Sequence, residues 1–201
     1  MNGVKDIFTQ DEEKGVARIS IFNIDEKAAK SFNLRQMIDG NSVGFINPGN
    51  YVMLHVDGEL MMSDTPFERR TNEEFVRKAK GKVMIAGLGI GMILNALRDK
   101  VSSGEVTEIT VYEKYQDVID VVYPKYQDMP LKVICQDILT YKPDKSEIYD
   151  TIYFDIWPTV GAENLKDIRL LHNRWKSRKP KDGWMDSWMK KTCQKLNRAD
   201  Y

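Results

Sequence analysis

Three carboxylates follow short apolar segments of the chain, and their positions favour a ligand site. Glu113 closes the segment EITVYE, Asp155 closes DTIYFD, and Asp137 follows LKVIC after one intervening residue. Short apolar segments bounded by polar residues are typical of buried strands. Parallel strands place their carboxyl ends at one edge of an open sheet, where ligands bind. We therefore expect the three side chains to face one ligand.

A glycine-rich stretch, KVMIAGLGIGMILNAL, precedes these carboxylates. Its first residues, 83–86, have the length of a buried parallel strand, and apolar residues at 90, 93, 94 and 97 recur at helical spacing. Gly87, Gly89 and Gly91 lie between the two patterns, which predicts a strand, a tight turn and a helix. Glycines let main chain approach a ligand closely, and a helix N-terminus offers free N–H groups. The stretch predicts a nucleotide site that includes Leu88.

The spacing of the glycines distinguishes between two kinds of nucleotide-binding motif. The dinucleotide fingerprint GxGxxG needs its third glycine where this chain has Met92. The form GxGxG, with an acidic residue closing the next strand, is the one that S-adenosylmethionine-binding folds use. Glu113 is that residue, and a two-oxygen acceptor there can bind both ribose hydroxyls. Asp137 would then accept the adenine amino group, and Asp155 would lie near the sulfonium.

Each of these residues also has an ordinary structural interpretation. The glycine turn could be a tight connection with no ligand, although three glycines at alternate positions exceed what packing needs. Glu113 could be a solvated strand end, and Asp137 could cap the turn into residues 138–139. Asp155 could cap a following helix. The common register of the carboxylates with the glycine turn favours the ligand site.

Residues 1–80 are predicted to be rich in strands. Alternation predicts a strand over 16–22 that ends near Asn23, and 26–32 could form a short helix. Residues 47–50 are a turn by composition. The dipeptide Asp57-Gly58 between two apolar runs predicts a hairpin over 51–62. Residues 63–70 are expected to be a connection, and 71–74 to begin a helix that reaches 81.

Strands and helices alternate after residue 81. Strands are expected at 108–113, 131–135 and 150–155, with a helix at 117–123 and another at 163–175. No strand is expected after residue 158, and a last helix should begin at 183. The pattern predicts an α/β fold with a short, Rossmann-like, doubly wound and mainly parallel sheet. It also predicts three parts: a β-rich region (1–80), a Rossmann-like core (81–158) and a helical segment (159–201).

Composition narrows the function classes. Thirty basic residues balance thirty acidic ones, so the formal net charge is zero and a nucleic-acid partner is not expected. The two cysteines, Cys135 and Cys193, lack the spacing of a disulfide framework or a zinc site, so we expect no metal. No apolar run has the length of a signal peptide or a membrane span. These features predict a cytoplasmic protein without a membrane partner.

The segments around the glycine turn resemble the class I S-adenosylmethionine-dependent methyltransferases, and more narrowly their spermidine-synthase-like branch. The resemblance covers residues 51–158, through the blocks VMLHVDGELMMSD, VMIAGLGIGMI, VYEK, CQDIL and YDTIYFDIW. It implies that Glu113 holds the ribose, Asp137 the adenine edge and Asp155 the reacting amine. Lys114 and Ile138 would complete the cofactor site beside them.

Two positions depart from the spermidine-synthase-like pattern. Ile90 replaces an aspartate of the glycine loop, and Asp155 is not followed by the second aspartate of a DxxD pattern. Polyamines carry several positive charges and need several carboxylates, so the leading interpretation is a small-molecule methyltransferase that uses S-adenosylmethionine. Aminopropyl transfer from decarboxylated S-adenosylmethionine is the alternative. A non-catalytic binding or scaffold protein with a Rossmann-like core is the third.

Asp155 and Tyr153 are the predicted catalytic residues. Alkyl transfer from a sulfonium needs alignment, exclusion of water and control of a proton. Asp155 could orient or deprotonate an amine, while Tyr153 or Trp157 could contact the sulfonium through a cation–π interaction. We expect a small-molecule acceptor, with amines among the candidates. The sequence leaves open whether the protein forms a homodimer.

Overall fold

The N-terminal part of the chain forms an antiparallel sheet. The computed structural model describes residues 3–38 and 44–199. Four strands lie in the order β1-β2-β3-β4, namely β1 (Glu12–Lys14), β2 (Ala17–Ile24), β3 (Gly49–Val56) and β4 (Glu59–Ser63). The predicted hairpin is confirmed: β3 and β4 pair antiparallel across Asp57-Gly58, whose φ angles of 52° and 79° suit a two-residue turn.

Four expectations for this region need correction. Helix α1 (Glu26–Ile38) is longer than the predicted 26–32. The predicted turn at 47–50 is shorter, because Gly49 and Asn50 already pair with β2. The expected connection at 63–70 contains helix α2 (Pro66–Thr71), since proline is well tolerated in the first turn of a helix. Helix α3 (Glu73–Lys78) begins where predicted but ends before 81.

The second sheet has five parallel strands in the order β7-β6-β5-β8-β9. They are β5 (Gly81–Ala86), β6 (Val106–Glu113), β7 (Leu131–Cys135), β8 (Thr151–Phe154) and β9 (Trp184–Ser187). The chain runs from β5 outward to β7, then returns to β8 on the other side of β5. This reversal creates the crevice in which doubly wound folds bind ligands. The predicted Rossmann-like α/β fold is confirmed.

Helices cover both faces of this sheet. Val83 and Ile85 of β5 pack in one cluster with helices α4 (Met92–Ser102) and α5 (Gln116–Val122) and with the antiparallel sheet. Met84 and Ala86 pack on the other face, where Trp175 of α6 (Asn164–Trp175) is fully buried. Successive side chains of β5 point to opposite faces because a strand is pleated, and both faces of this strand are buried.

The C-terminal segment is not purely helical, contrary to the sequence prediction. Residues 184–187, WMDS, form the edge strand β9, which pairs in parallel with β8 from Thr151↔Trp184 to Phe154↔Ser187. The last helix, α7 (Lys190–Ala199), begins after this strand rather than at 183. A four-residue strand with mixed polarity carries little local signal, so its pairing partner decides its structure. Within the described ranges, no helix combines the length and apolarity needed to cross a bilayer.

Candidate functional site

A cavity of about 450 Å³ lies at the carboxyl ends of β5, β6, β7 and β8. This volume is in the usual range for small-molecule pockets, roughly 300–1,000 Å³. The β3–β4 hairpin forms one wall, and the glycine turn forms another. Most residues that the sequence assigned to the site line the cavity together: Gly87, Leu88, Gly89, Glu113, Lys114, Asp137, Ile138 and Asp155. Gly91 and Tyr153 do not line it.

The three glycines of the turn are required by packing. Gly87, Gly89 and Gly91 all have positive φ angles, of 97°, 51° and 71°. A Cβ atom added at each would lie 2.1 to 2.2 Å from the Asp155 main-chain oxygen, Met62 Sδ and the Tyr126 ring, respectively. The expectation that they exceed packing needs is therefore wrong. The case for a ligand rests on the cavity and its side chains.

Glu113 joins β6 to the glycine turn. Its Oε2 accepts a hydrogen bond from the main-chain N–H of Leu88, and its Oε1 accepts one from Tyr115, both at 2.9 Å. Burial raises the pKa of Glu113, while these main-chain donors act in the opposite direction. A carboxylate can accept about four hydrogen bonds. Capacity therefore remains for the two hydroxyls of a ribose.

Asp137 both caps a turn and faces the cavity. Its Oδ1 accepts a hydrogen bond from Leu139 N–H at 2.9 Å, as the structural interpretation predicted. Its Oδ2 lies 3.7 Å from the Lys114 ammonium nitrogen, which is more than half exposed. The capping oxygen and the ion-paired oxygen are different atoms. Asp137 can therefore hold the turn while Oδ2 accepts from an adenine amino group.

Asp155 is paired with a second acid that the sequence did not reveal. Glu68 of α2 also lines the cavity, and both side chains are partly buried. Burial, followed by the charge of Glu68, raises the pKa of Asp155 to about 8, and a hydrogen bond from Asn72 opposes the shift. Burial likewise raises the pKa of Glu68 to about 7. The two acids therefore titrate near neutral pH.

Asn72 connects this pair to the interior. The fully buried Asn72 side chain donates to the main-chain oxygen of Glu68 at 3.1 Å and accepts from the Tyr153 hydroxyl at 2.8 Å. The Tyr153 ring stacks on Phe75, with 4.4 Å between centroids. The expected contact between Tyr153 and a sulfonium does not match this placement, whereas Trp157 does line the cavity.

Glu68 and Met62 are two of the cavity-lining residues that sequence reasoning did not assign to the site. Glu68 follows Pro66 in the first turn of α2, where acidic residues are common for electrostatic reasons alone. Met62 of β4 lines the cavity and accepts a hydrogen bond from Ile90 N–H through its sulfur at 3.4 Å. Proline followed closely by glutamate predicts a helix start, but only the fold shows that this start faces Asp155.

The cavity is strongly acidic. Among the described residues that line it, one is basic, Lys114, and six are acidic: Asp57, Glu59, Glu68, Glu113, Asp137 and Asp155. Such a site attracts a cation and repels a pyrophosphate group. The excess of acidic residues therefore argues against a dinucleotide ligand, as does Met92 in place of the third glycine of the dinucleotide fingerprint.

No protein-family model matches the sequence, and no curated protein matches it. Solved structures do resemble it. An S-adenosylmethionine-dependent methyltransferase from Leishmania major shares 15% identity over 60% of this chain and 48% of its own, with a TM-score of 0.47. One from Clostridium acetobutylicum shares 15% identity over 60% and 47% of the two chains, with a TM-score of 0.41.

A protein from Rhodobacter sphaeroides, described as a zinc-dependent alcohol dehydrogenase, shares 18% identity over 54% of this chain and 42% of its own, with a TM-score of 0.40. The chain thus spans about half the length of the solved proteins it resembles. Its Rossmann-like fold follows from its own strand order.

Proposed function

We propose that the protein is an S-adenosylmethionine-dependent methyltransferase that acts on a small molecule. The observation that carries this proposal is the acidic cavity at the switch point of the sheet, with Glu113 fixed beside the glycine turn. S-adenosylmethionine carries two positive groups and one carboxylate, so an acidic cavity suits it. A dinucleotide carries a pyrophosphate, which the ionised carboxylates of the cavity would repel.

The residues present fit the parts of this cofactor. Glu113 would bind the ribose hydroxyls, Asp137 would accept the adenine amino group, and Ile138 would contact the adenine ring. Asp155 and Glu68 would lie near the sulfonium. When bound, S-adenosylmethionine supplies an activated methyl group, so the chain needs only to align the acceptor, exclude water and hold a proton.

The β3–β4 hairpin supports a relation to the spermidine-synthase-like branch. The hairpin precedes the glycine turn in the sequence and contributes Leu54, Met61 and Met62 to the cavity wall. Ile90, which replaces the loop aspartate of that branch, is fully buried in the core. A second carboxylate is supplied instead by Glu68. Under this proposal, the site would share the hairpin wall of the branch but would carry one acid on a different element.

A thermal-shift comparison of four ligands tests the proposal. S-adenosylmethionine at 100 times its dissociation constant should stabilise the folded protein by about 2.7 kcal/mol. For a chain of this length that is a rise of roughly 5–10 °C in Tm. S-adenosylhomocysteine should also stabilise it, and NAD should not.

The other interpretations predict different results in the same comparison. Aminopropyl transfer predicts that decarboxylated S-adenosylmethionine stabilises the protein more than the carboxylated form does. A non-catalytic scaffold predicts that none of the four ligands changes the Tm of a folded sample. Either result would overturn the proposed methyltransferase.

A further inference from the structure

We propose that Arg174 of α6 is a positioning residue that makes the cavity select adenine over other bases, and that it acts through Asp137. Arg174 does not line the cavity, so it reaches a ligand only through the loop formed by residues 138–141. That the ligand is a methyl donor rests on the proposed function. The contacts between Arg174 and this loop do not.

The first observation is that Arg174 binds three main-chain oxygens of one loop. Its Nη1 nitrogen donates to the carbonyl oxygens of Ile138, Leu139 and Tyr141 at 3.1, 2.8 and 2.7 Å, respectively. Ile138 and Leu139 line the cavity. A basic residue in the last turn of a helix is favourable for electrostatic reasons alone, but that role needs no acceptors in another segment. The contacts therefore indicate that Arg174 holds the loop.

The second observation is that the same peptide groups continue to Asp137. The peptide between residues 138 and 139 accepts from Arg174 through its oxygen and donates through its N–H to Asp137 Oδ1 at 2.9 Å. The next peptide also accepts from Arg174, and its Thr140 N–H donates to the main-chain oxygen of Asp137 at 3.1 Å. Hydrogen bonds in such a chain polarise and strengthen one another. Arg174 therefore fixes both the main chain and the carboxylate of Asp137.

The third observation is that the surroundings of Arg174 are themselves fixed. The Tyr141 hydroxyl donates to Glu147 Oε1 at 2.6 Å, and the Tyr112 hydroxyl donates to Glu147 Oε2. Trp175, the residue after Arg174, is fully buried, and its ring centroid lies 5.9 Å from that of Tyr112 and 6.3 Å from that of Tyr141. The end of α6 is thus packed against β6 and against the loop. A site supported by such connected contacts holds its geometry before a ligand binds.

A fixed Asp137 carboxylate discriminates between bases. The 6-amino group of adenine donates hydrogen bonds, so it suits the Asp137 oxygen that does not cap the turn. Hypoxanthine carries an oxygen at the same position, and two acceptors that face each other repel. A site built to accept from an amino group rejects an analogue that lacks it only if the acceptor cannot move away. Arg174 supplies that restraint, and without it the loop is free to shift.

Isothermal titration with two matched ligand pairs at pH 7.5 tests the inference. The pairs are S-adenosylhomocysteine with S-inosylhomocysteine, and adenosine with inosine, which differ only in adenine against hypoxanthine. The unmodified protein should bind each adenine ligand at least about tenfold more tightly than its partner. Arg174→Met removes every donor but keeps a long side chain, and it should reduce this ratio to about threefold or less. Arg174→Lys, which keeps the charge, should give an intermediate ratio.

A double-mutant cycle distinguishes positioning of Asp137 from a general loss of packing. Arg174→Met alone should weaken S-adenosylhomocysteine about tenfold, because the carboxylate is no longer held in place. In the Asp137→Asn background the same change should weaken it by less than about twofold, since the group that Arg174 positions is already altered.

Arg169→Met is the matched control, because Arg169 is exposed on the same helix. It should leave the affinities and the base preference within about twofold of the unmodified protein. Circular dichroism confirms that each variant is folded. If Arg174→Met does not fold, Arg174→Lys takes its place, with a base preference at least about twofold below that of the unmodified protein.

Three results would overturn the inference. The first is an unmodified protein that binds neither adenine ligand or shows no preference for adenine. The second is an unchanged preference in the folded Arg174 variant. The third is an equal loss of S-adenosylhomocysteine affinity in both backgrounds of the cycle, which would make Arg174 a packing residue only. Failure of the proposed function looks different: S-adenosylhomocysteine would bind no more tightly than adenosine, while the preference for adenosine over inosine would still fall in Arg174→Met.

Discussion

The carboxylate of Glu113 accepts a hydrogen bond from the main-chain N–H of Leu88 at 2.9 Å, which ties the end of β6 to the glycine turn after β5. The same side chain accepts from Tyr115 N–H through its other oxygen. The carboxylate thus fixes two loops that line the cavity. Because it also lies where a ribose would bind, its loss should affect both folding and cofactor affinity.

Glu113→Gln should weaken both properties. The amide removes the charge and turns an NH₂ group toward one of two main-chain donors, which leaves a buried N–H without an acceptor. We expect the free energy of unfolding to fall by about 1–3 kcal/mol. The affinity for S-adenosylhomocysteine should fall at least tenfold, or by about 1.4 kcal/mol. Urea denaturation and isothermal titration measure the two effects.

Glu108→Gln is the control on the same strand, since the Glu108 side chain is about half exposed and forms an ion pair with Lys82 on the surface. It should change neither quantity. An unchanged affinity in Glu113→Gln would remove this carboxylate from the cofactor site.

Glu68 and Asp155 should make stability depend on pH in an unusual direction. Their folded-state pKa values, about 7 and about 8, exceed the ordinary values of 4.5 and 3.8. The folded protein therefore holds protons that the unfolded chain has released. The resulting stabilisation is complete below about pH 4 and is lost as the pH rises through 7 and 8.

Glu68→Gln should consequently raise the Tm at pH 8.5 but not at pH 4. A gain of at least ~1 kcal/mol corresponds to roughly 2–4 °C for a chain of this size. Differential scanning calorimetry at the two pH values measures it. A Tm at pH 8.5 that is equal to or below that of the unmodified protein would contradict the assignment of the pair.

A comparison of Gly87 with Gly104 distinguishes the two energetic costs of adding a side chain, which are backbone strain and steric clash. Both have positive φ, of 97° and 77°, but a Cβ at Gly104 would meet nothing within 4 Å. Gly104→Ala should cost about 1–2 kcal/mol from backbone strain alone. A Cβ at Gly87 would lie 2.1 Å from the main-chain oxygen of Asp155, which cannot rotate away.

Gly87→Ala should therefore destabilise the protein by at least ~2 kcal/mol more than Gly104→Ala, or prevent folding. Chemical denaturation of the two variants side by side makes the comparison. Equal costs would show that the glycine turn has room for a side chain next to β8.

Tyr153→Phe distinguishes a supporting role from contact with the cofactor. Removal of the hydroxyl leaves the buried Asn72 oxygen without its donor, which should cost about 1–3 kcal/mol. The affinity for S-adenosylhomocysteine should stay within twofold, because the ring packs on Phe75 away from the cavity. A tenfold loss of affinity would instead restore the sequence-based prediction that Tyr153 faces the sulfonium.

The strands of the central sheet were predictable where they consist of short, mainly apolar runs. Residues 131–135 match β7 at both ends, and the other apolar segments match β5, β6 and β8 within a few residues. Burial of β8 and of residues 83–86 of β5 on both faces requires continuous apolar runs, which the sequence displays directly. Strand β9 is partly exposed and mixed in polarity, so its structure depends on pairing with β8 rather than on its own residues.

The candidate site was predictable only as far as each residue carries a local signal. Glu113, Asp137 and Asp155 follow strands, so strand prediction alone places them at one edge. Glu68 lies on a short helix of the N-terminal region and reaches Asp155 only through the packing of α2 beside the sheet. Tyr153 lies two residues before Asp155, inside β8 rather than at its end, and its ring packs on Phe75 in the core.

The most direct test of the account is a titration of the protein with S-adenosylmethionine and, separately, with NAD at pH 7.5. The acidic cavity and the position of Glu113 predict one bound S-adenosylmethionine per chain. They also predict at least 100-fold weaker binding of NAD, a difference of about 2.7 kcal/mol. Equal or tighter binding of NAD, or no binding of either ligand to a folded sample, would contradict the central claim.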